Sequence, residues 1–146
     1  MRGDLRRARR FAAVSALAGV GLGVALFLDP YRWARGFGWP REPETDVGLY
    51  FGRCLGALAL AASFQGARAA LDPEEHRTYY PFAEVTGWLL AAAHTRGLIE
   101  GRQPPIEHVE IVAWLGMAVG ARRWAPSNRW VPLPVSREAV AQRCPR

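Results

Sequence analysis

The sequence predicts an all-α protein: a four-helix transmembrane bundle with the N- and C-termini in the cytoplasm and an irregular basic C-terminal tail. Three observations lead to this fold class. Four long apolar segments are rich in alanine, leucine and glycine and lack the alternation of a strand. Arginines concentrate in the parts that a four-span topology places on one side, and aromatic residues collect at the ends of the segments. The 146 residues suit a single domain.

The first apolar segment, residues 11–28, contains no charged side chain. Its length matches a helix that crosses a hydrocarbon core of ~30 Å at ~1.5 Å per residue. A basic stretch, residues 1–10, precedes it as a cytoplasmic arm, and Asp29-Pro30 ends it. A cleaved signal peptide is the alternative, but the segment is too long and lacks a small-residue cleavage site.

The other predicted helices cover residues 47–66, 81–99 and 105–121. The last two begin with proline, which suits the first position of a helix. The membrane domain therefore spans residues 11–121, and residues 122–146 form a Pro/Arg-rich cytoplasmic tail. A soluble four-helix bundle is the alternative, because the last two segments are short and carry charges.

The distribution of arginine predicts the orientation in the membrane. All 19 basic residues are arginine. With four spans, 13 of them lie in the N-terminal arm, the hairpin 68–77 and the tail, and four lie on the opposite side. The positive-inside rule then gives a multi-pass protein of the bacterial inner membrane with cytoplasmic termini. Attraction to anionic membrane lipid accounts for the net charge of +6, so nucleic acid is not an expected partner.

A polar layer is predicted in the outer leaflet of the membrane. Arg53 is the sole charge of the second segment, and a charge within a span usually faces protein and has a partner. Depth along the helices brings Arg96, His94 and Glu110 to the same level. We therefore predict that Arg53 pairs with Glu110, with His94 or Tyr50 as a second contact. The layer is either a buried ion pair that fixes the helix register or a pocket for an anionic or polar headgroup.

Small residues at helical spacing predict close packing between the helices. The second segment has the longest series, and shorter series occur in the first and fourth segments. These glycines are Gly48, Gly52 and Gly56, then Gly19 and Gly23, then Gly116 and Gly120.

Motifs for catalysis are missing from the sequence. It contains no nucleophile elbow, phosphate-binding loop, HExxH motif or cysteine cluster. His94 has no companion pattern that would make it a haem or metal ligand. We therefore predict no catalytic residue, no metal site and no cofactor. The sequence favours a protein that is not an enzyme.

Two stretches resemble the DoxX-like group of small bacterial four-helix membrane proteins: "LYFGRCLGALALA" and "TRGLIEGRQPPIEHVEIVAWLG". Arg53 with Gly56, Arg96, the turn 101–104 and Glu110 match the arginine, glycine and glutamate pattern of that group, with one extra residue in the turn. The resemblance implies the four-helix fold. Relatives named for quinone-linked thiosulfate oxidation imply, by analogy, a subunit or quinone-side role.

The expected function is that of a non-catalytic accessory or scaffold subunit of a larger membrane complex. Its partners would be membrane lipid and other membrane-protein subunits. The alternative is a membrane protein that binds lipid, quinone or another isoprenoid, linked to an oxidoreductase, through the polar layer. A soluble bundle is the third hypothesis.

Overall fold

A computed structural model describes residues 2–39, 43–101 and 103–126. Five α-helices make up this part of the chain, and no strand occurs within it. They are α1 Arg2–Leu28, α2 Pro30–Gly36, α3 Asp46–Leu71, α4 Tyr79–Ile99 and α5 Glu107–Trp124. The predicted all-α class is therefore confirmed. Most of the predicted C-terminal tail, from residue 127 onward, lies outside the described residues.

Helix α1 begins well before the apolar segment. The arginine-rich stretch predicted as a separate arm continues the helix from Arg2. Ala8 is fully buried and Phe11 nearly so, which gives the basic part of the helix one packed face. The charged arm and the apolar segment therefore form one continuous element.

The short helix α2 was not predicted. The Asp29 side chain accepts a hydrogen bond from the backbone N–H of Arg32 at 2.8 Å, and Pro30 follows it at the start of the helix. The Tyr31 hydroxyl accepts from the Thr45 N–H at 2.7 Å and donates to the Thr45 carbonyl at 3.0 Å. Thr45 in turn caps α3 by accepting from the Gly48 N–H at 3.0 Å. Side-chain bonds thus join the start of α2 to the start of α3.

The long helices associate in two pairs, α1 with α3 and α4 with α5, and α1 also contacts α5. Glycines bring the backbones of the first pair together. A Cβ atom on Gly56 would lie 2.5 Å from the Phe27 nitrogen and 2.8 Å from the Gly23 oxygen. Gly87, which was not predicted as a packing residue, has the same role between α4 and α5. A Cβ atom there would lie 2.7 Å from the backbone oxygen of Trp114.

The other predicted packing glycines differ in their surroundings. Gly19 faces Ser63, Gly48 faces Tyr31 and Gly52 faces Pro30, while Gly120 faces Phe11 and Trp124. Gly116 has no neighbour within 4 Å, so the structure gives it no packing role within this chain.

A core of small residues and aromatic rings joins all four long helices at the end of the molecule that holds the N-terminus. Its buried members are Ala8, Phe11, Ala12, Ala69, Tyr79, Tyr80, Ala83 and Ala121. Nearby, Arg122 donates to Glu84 at 3.3 Å and links α4 to α5. Glu84, within α4, therefore has a partner on α5.

Two helices, over Asp4–Leu28 and Asp46–Leu71, are long and apolar enough to cross a membrane. The remaining described helices do not meet that standard of length and composition. In α5, charged side chains stand in the first turn and again in the last. Four membrane spans therefore stay a prediction.

Candidate functional site

Three titratable side chains meet where α4 ends and α5 begins. His94 lies near the end of α4, while Glu107 and Glu110 lie in the first turn of α5. The turn between the helices passes through Gly101, whose φ of 67° is the left-handed conformation that glycine adopts most easily. This connection folds α5 back along α4 and brings the three side chains together. We call His94, Glu107 and Glu110 the polar cluster.

The imidazole of His94 lies between the two carboxylates. Its Nδ1 is 2.7 Å from Glu107 Oε2, and its Nε2 is 3.5 Å from Glu110 Oε2. The Glu107 side chain is 4% exposed and that of Glu110 is 22% exposed. The cluster is thus most deeply enclosed at Glu107 and opens toward Glu110.

Two tryptophans surround the cluster. Trp39, just after α2, donates its indole N–H to Glu107 Oε1 at 2.8 Å. Trp114, one turn beyond Glu110, stacks on the His94 ring with centroids 6.4 Å apart and an angle of 23° between the planes. The connection between α2 and α3 therefore takes part in the site together with α4 and α5.

The charge of the polar cluster is unbalanced. Two carboxyl groups face one imidazole, so with both of them ionised the group stays negative even when the imidazole is protonated. Among the described residues no arginine pairs with Glu107 or Glu110. A buried group with this charge favours an additional cation or a bound proton.

The polar cluster also has the spacing of a metal site. One ligand atom from each of the three residues lies within 4.8 Å of the others. Imidazole nitrogen and carboxylate oxygen are ligands that divalent transition metals accept. No metal site was predicted from the sequence, because His94 has no companion ligand pattern there.

The predicted polar layer forms only in part. His94 and Glu110 meet, as the shared depth indicated, but the predicted Arg53–Glu110 ion pair is not made. Arg53 is exposed on α3, because packing turns the Gly52 and Gly56 face toward Pro30 and α1. An arginine one residue after Gly52 is then rotated by about 100° away from that contact.

Two other predicted members of the layer also lie elsewhere. Arg96 is exposed and binds Glu100 one turn later, with Nε to Oε1 at 2.8 Å. Tyr50 is 64% exposed and its ring packs edge-on against Phe51. With both arginines turned outward the site is acidic, which disfavours the anionic headgroup considered in the sequence analysis.

Glu107 and Trp39 belong to the site but were not predicted from the sequence as members of it. The available signal was the spacing of Glu107 and Glu110 at i and i+3, which puts both on one helix face.

The chemistry open to the polar cluster is that of binding a cation or exchanging a proton. Its members are one imidazole and two carboxylates, without a serine or a cysteine. Comparison of the chain with protein-family models, with curated proteins and with solved structures finds no match, so the DoxX-like resemblance stays a prediction.

Proposed function

We propose that the protein is an integral membrane protein that acts as a non-catalytic accessory or scaffold subunit of a larger inner-membrane complex. In this proposal all four long helices cross the bilayer and both termini are cytoplasmic. The observation that carries it is the outward placement of apolar side chains on the long helices. Leu17 of α1, Leu58 of α3, Leu89 of α4 and Val112 of α5 are each between 66% and 74% exposed.

The low burial of the two helices that are long and apolar enough to cross a membrane argues against a soluble bundle. Only 28% of the apolar window in α1 and 11% of that in α3 is buried within the chain. The core helix of a soluble protein would hide most of such a surface, because each exposed Å² of apolar area costs about 25 cal/mol in water. Lipid or other membrane helices can cover this surface without that cost.

The position of Arg53 supports a partner subunit in addition to lipid. Arg53 is exposed on α3, on the same face as Tyr50 and Ala57, which are also exposed. A charge on a lipid-facing helix is costly, by about 2.5–3.5 kcal/mol at the helix centre and less near the interface. A carboxylate on a neighbouring membrane helix would pair with it. We therefore assign the α3 face around Arg53 to the contact with that helix.

Purification in a mild detergent tests the proposal. The chain should fractionate with membranes and resist alkaline extraction, and it should copurify with a second membrane protein. Arg53→Leu should release that protein, whereas Arg53→Lys should retain it because the charge is kept. Arg77→Leu, an exposed arginine on the loop before α4, is the matched control and should have no effect.

Two results would contradict the proposal. Recovery of the chain from the soluble fraction without detergent would exclude membrane integration. A monodisperse chain without any copurifying protein, in wild type and Arg53→Leu alike, would exclude the accessory-subunit role.

A further inference from the structure

We propose that the polar cluster binds one divalent first-row transition-metal ion through His94, Glu107 and Glu110. His94 would supply one ring nitrogen, and each glutamate would supply one carboxylate oxygen. The remaining coordination positions would go to water or to a ligand from outside the chain. This inference concerns the site itself and does not depend on the proposed role as an accessory subunit.

The first support is the arrangement of the donor atoms. The three ligand atoms lie within 4.8 Å of one another and come from two helices that pack along their length. Cis ligands of an ion with metal–ligand bonds of about 2.0–2.2 Å lie roughly 3 Å apart, so small rotations of these side chains suffice. Glu107 and Glu110 share a helix face, and His94 approaches from α4.

The second support is a pair of buried polar atoms without hydrogen bonds. His94 Nδ1 and Glu107 Oε2 are both inaccessible to solvent, and neither has a hydrogen-bond partner. They lie 2.7 Å apart, yet their approach lacks hydrogen-bond geometry. Buried polar atoms are rarely left unsatisfied, and a bound ion is one of the standard explanations. The Glu107 side chain is only 4% exposed, so bulk water does not reach this oxygen to form a hydrogen bond.

The third support is electrostatic. A neutral imidazole and two carboxylates are balanced by a divalent cation, whereas a protonated imidazole leaves one negative charge without a partner. Enclosure makes that difference important, because a buried unpaired carboxylate is strongly disfavoured. The tryptophan that donates to Glu107 Oε1 leaves Oε2 as the free oxygen, directed at His94.

The ligand types narrow the choice of metal. One imidazole with two carboxylates suits Zn²⁺, Mn²⁺ or Fe²⁺. Ca²⁺ and Mg²⁺ prefer sites made of oxygen alone, and Cu⁺ prefers sulfur ligands. Zn²⁺ is the practical probe because it is redox-inert.

Equilibrium dialysis of the purified full-length chain against Zn²⁺, followed by elemental analysis, tests the inference. The wild type should retain one more Zn²⁺ per chain than His94→Gln or Glu107→Gln. His76→Gln and Glu84→Gln are the matched controls, since each removes the same chemical group outside the cluster, and both should bind as the wild type does. Equal binding by wild type and His94→Gln would overturn the inference.

Zn²⁺ X-ray absorption on the wild type decides the question if either cluster variant fails to fold. The expected first shell contains a single imidazole with oxygen ligands. A shell that includes sulfur or several imidazoles would show binding elsewhere and would overturn the inference, as would the absence of bound Zn²⁺.

The tryptophan beside the site provides a graded test. Trp39→Phe keeps an aromatic ring and removes the N–H that orients Glu107. Loss of a hydrogen bond to a metal-binding side chain typically lowers affinity by about 10–100-fold. We expect the dissociation constant for Zn²⁺ to rise by about 10–100-fold while the stoichiometry stays unchanged. An unaltered affinity would show that Glu107 does not coordinate the ion.

Discussion

At the scale of single residues, Glu107 is the most constrained charge in the described part of the chain. It is 3% exposed, its Oε1 accepts from Trp39, and its Oε2 faces His94. A carboxylate in such a position depends on every polar contact, because water cannot replace a lost partner. The hydrogen bond from Trp39 to Glu107 therefore helps to hold the α2–α3 connection on the α4–α5 pair.

Trp39→Phe should lower the free energy of unfolding by about 1.5–3 kcal/mol, the usual range for a hydrogen bond to a charged group. The measurement is denaturant unfolding in detergent micelles under metal-free conditions. Trp33→Phe is the control, since that ring packs on Phe37 at 4.3 Å and its N–H makes no hydrogen bond to any described residue. If both variants lose the same stability, ring size rather than the hydrogen bond is responsible.

At the scale of helices, the contact between α1 and α3 depends on glycines, which have no side chain to hold the backbones apart. At Gly56 the backbone of α1 is so near that a methyl group would overlap the Phe27 nitrogen. Membrane helices gain little from burying apolar surface against each other and associate through such close packing. The same contact makes α1 an integral part of the packed structure.

Gly56→Ala should force α1 and α3 apart and lower the free energy of unfolding by about 1–3 kcal/mol, the usual cost of an oversized side chain in a packed interface. Unfolding in detergent, followed by circular dichroism, measures the change. Gly21→Ala is the matched control: Gly21 has no neighbour within 4 Å, so alanine there should be neutral or stabilising. A harmless Gly56→Ala would mean that the two helices are not packed as described.

At the scale of the whole molecule, the distribution of charge and apolar surface bears on the relation to the bilayer. The N-terminal half of α1 is rich in arginine, and α5 ends with Arg122 and Arg123, so the start of α1 and the end of α5 are both basic. The polar cluster lies at the opposite end, where α4 ends and α5 begins. The proposed topology places that end in the outer leaflet.

A reporter that works only in the cytoplasm should be active when it is fused after Arg146, and a reporter that works only in the periplasm should be inactive at the same position. The reason is that the 13 arginines of the arm, hairpin and tail resist translocation. Reporters inserted in the α2–α3 connection should give the reverse result. Activity of the C-terminal fusion in the periplasm alone would contradict the proposed orientation.

The sequence by itself determined the helical class and the approximate position of each long helix. Length and apolar composition are local properties, and proline, aspartate and glycine mark the boundaries. It also predicted that His94 and Glu110 lie near each other, since a uniform rise per residue converts chain position into depth, and the two side chains approach to 3.5 Å. The short helix α2 escaped prediction because its aromatic and charged residues equally suit an interfacial loop.

The tertiary structure alone decided which way each side chain points. An apolar helix such as α3 has no polar stripe that would fix its rotation, so the sequence could not show whether Arg53 faces inward or outward. Close packing of Gly52 on Pro30 and of Gly56 on α1 sets that rotation and exposes the arginine. The contact of Glu107 with His94 and Trp39 likewise depends on how three separate segments pack, which no local pattern records.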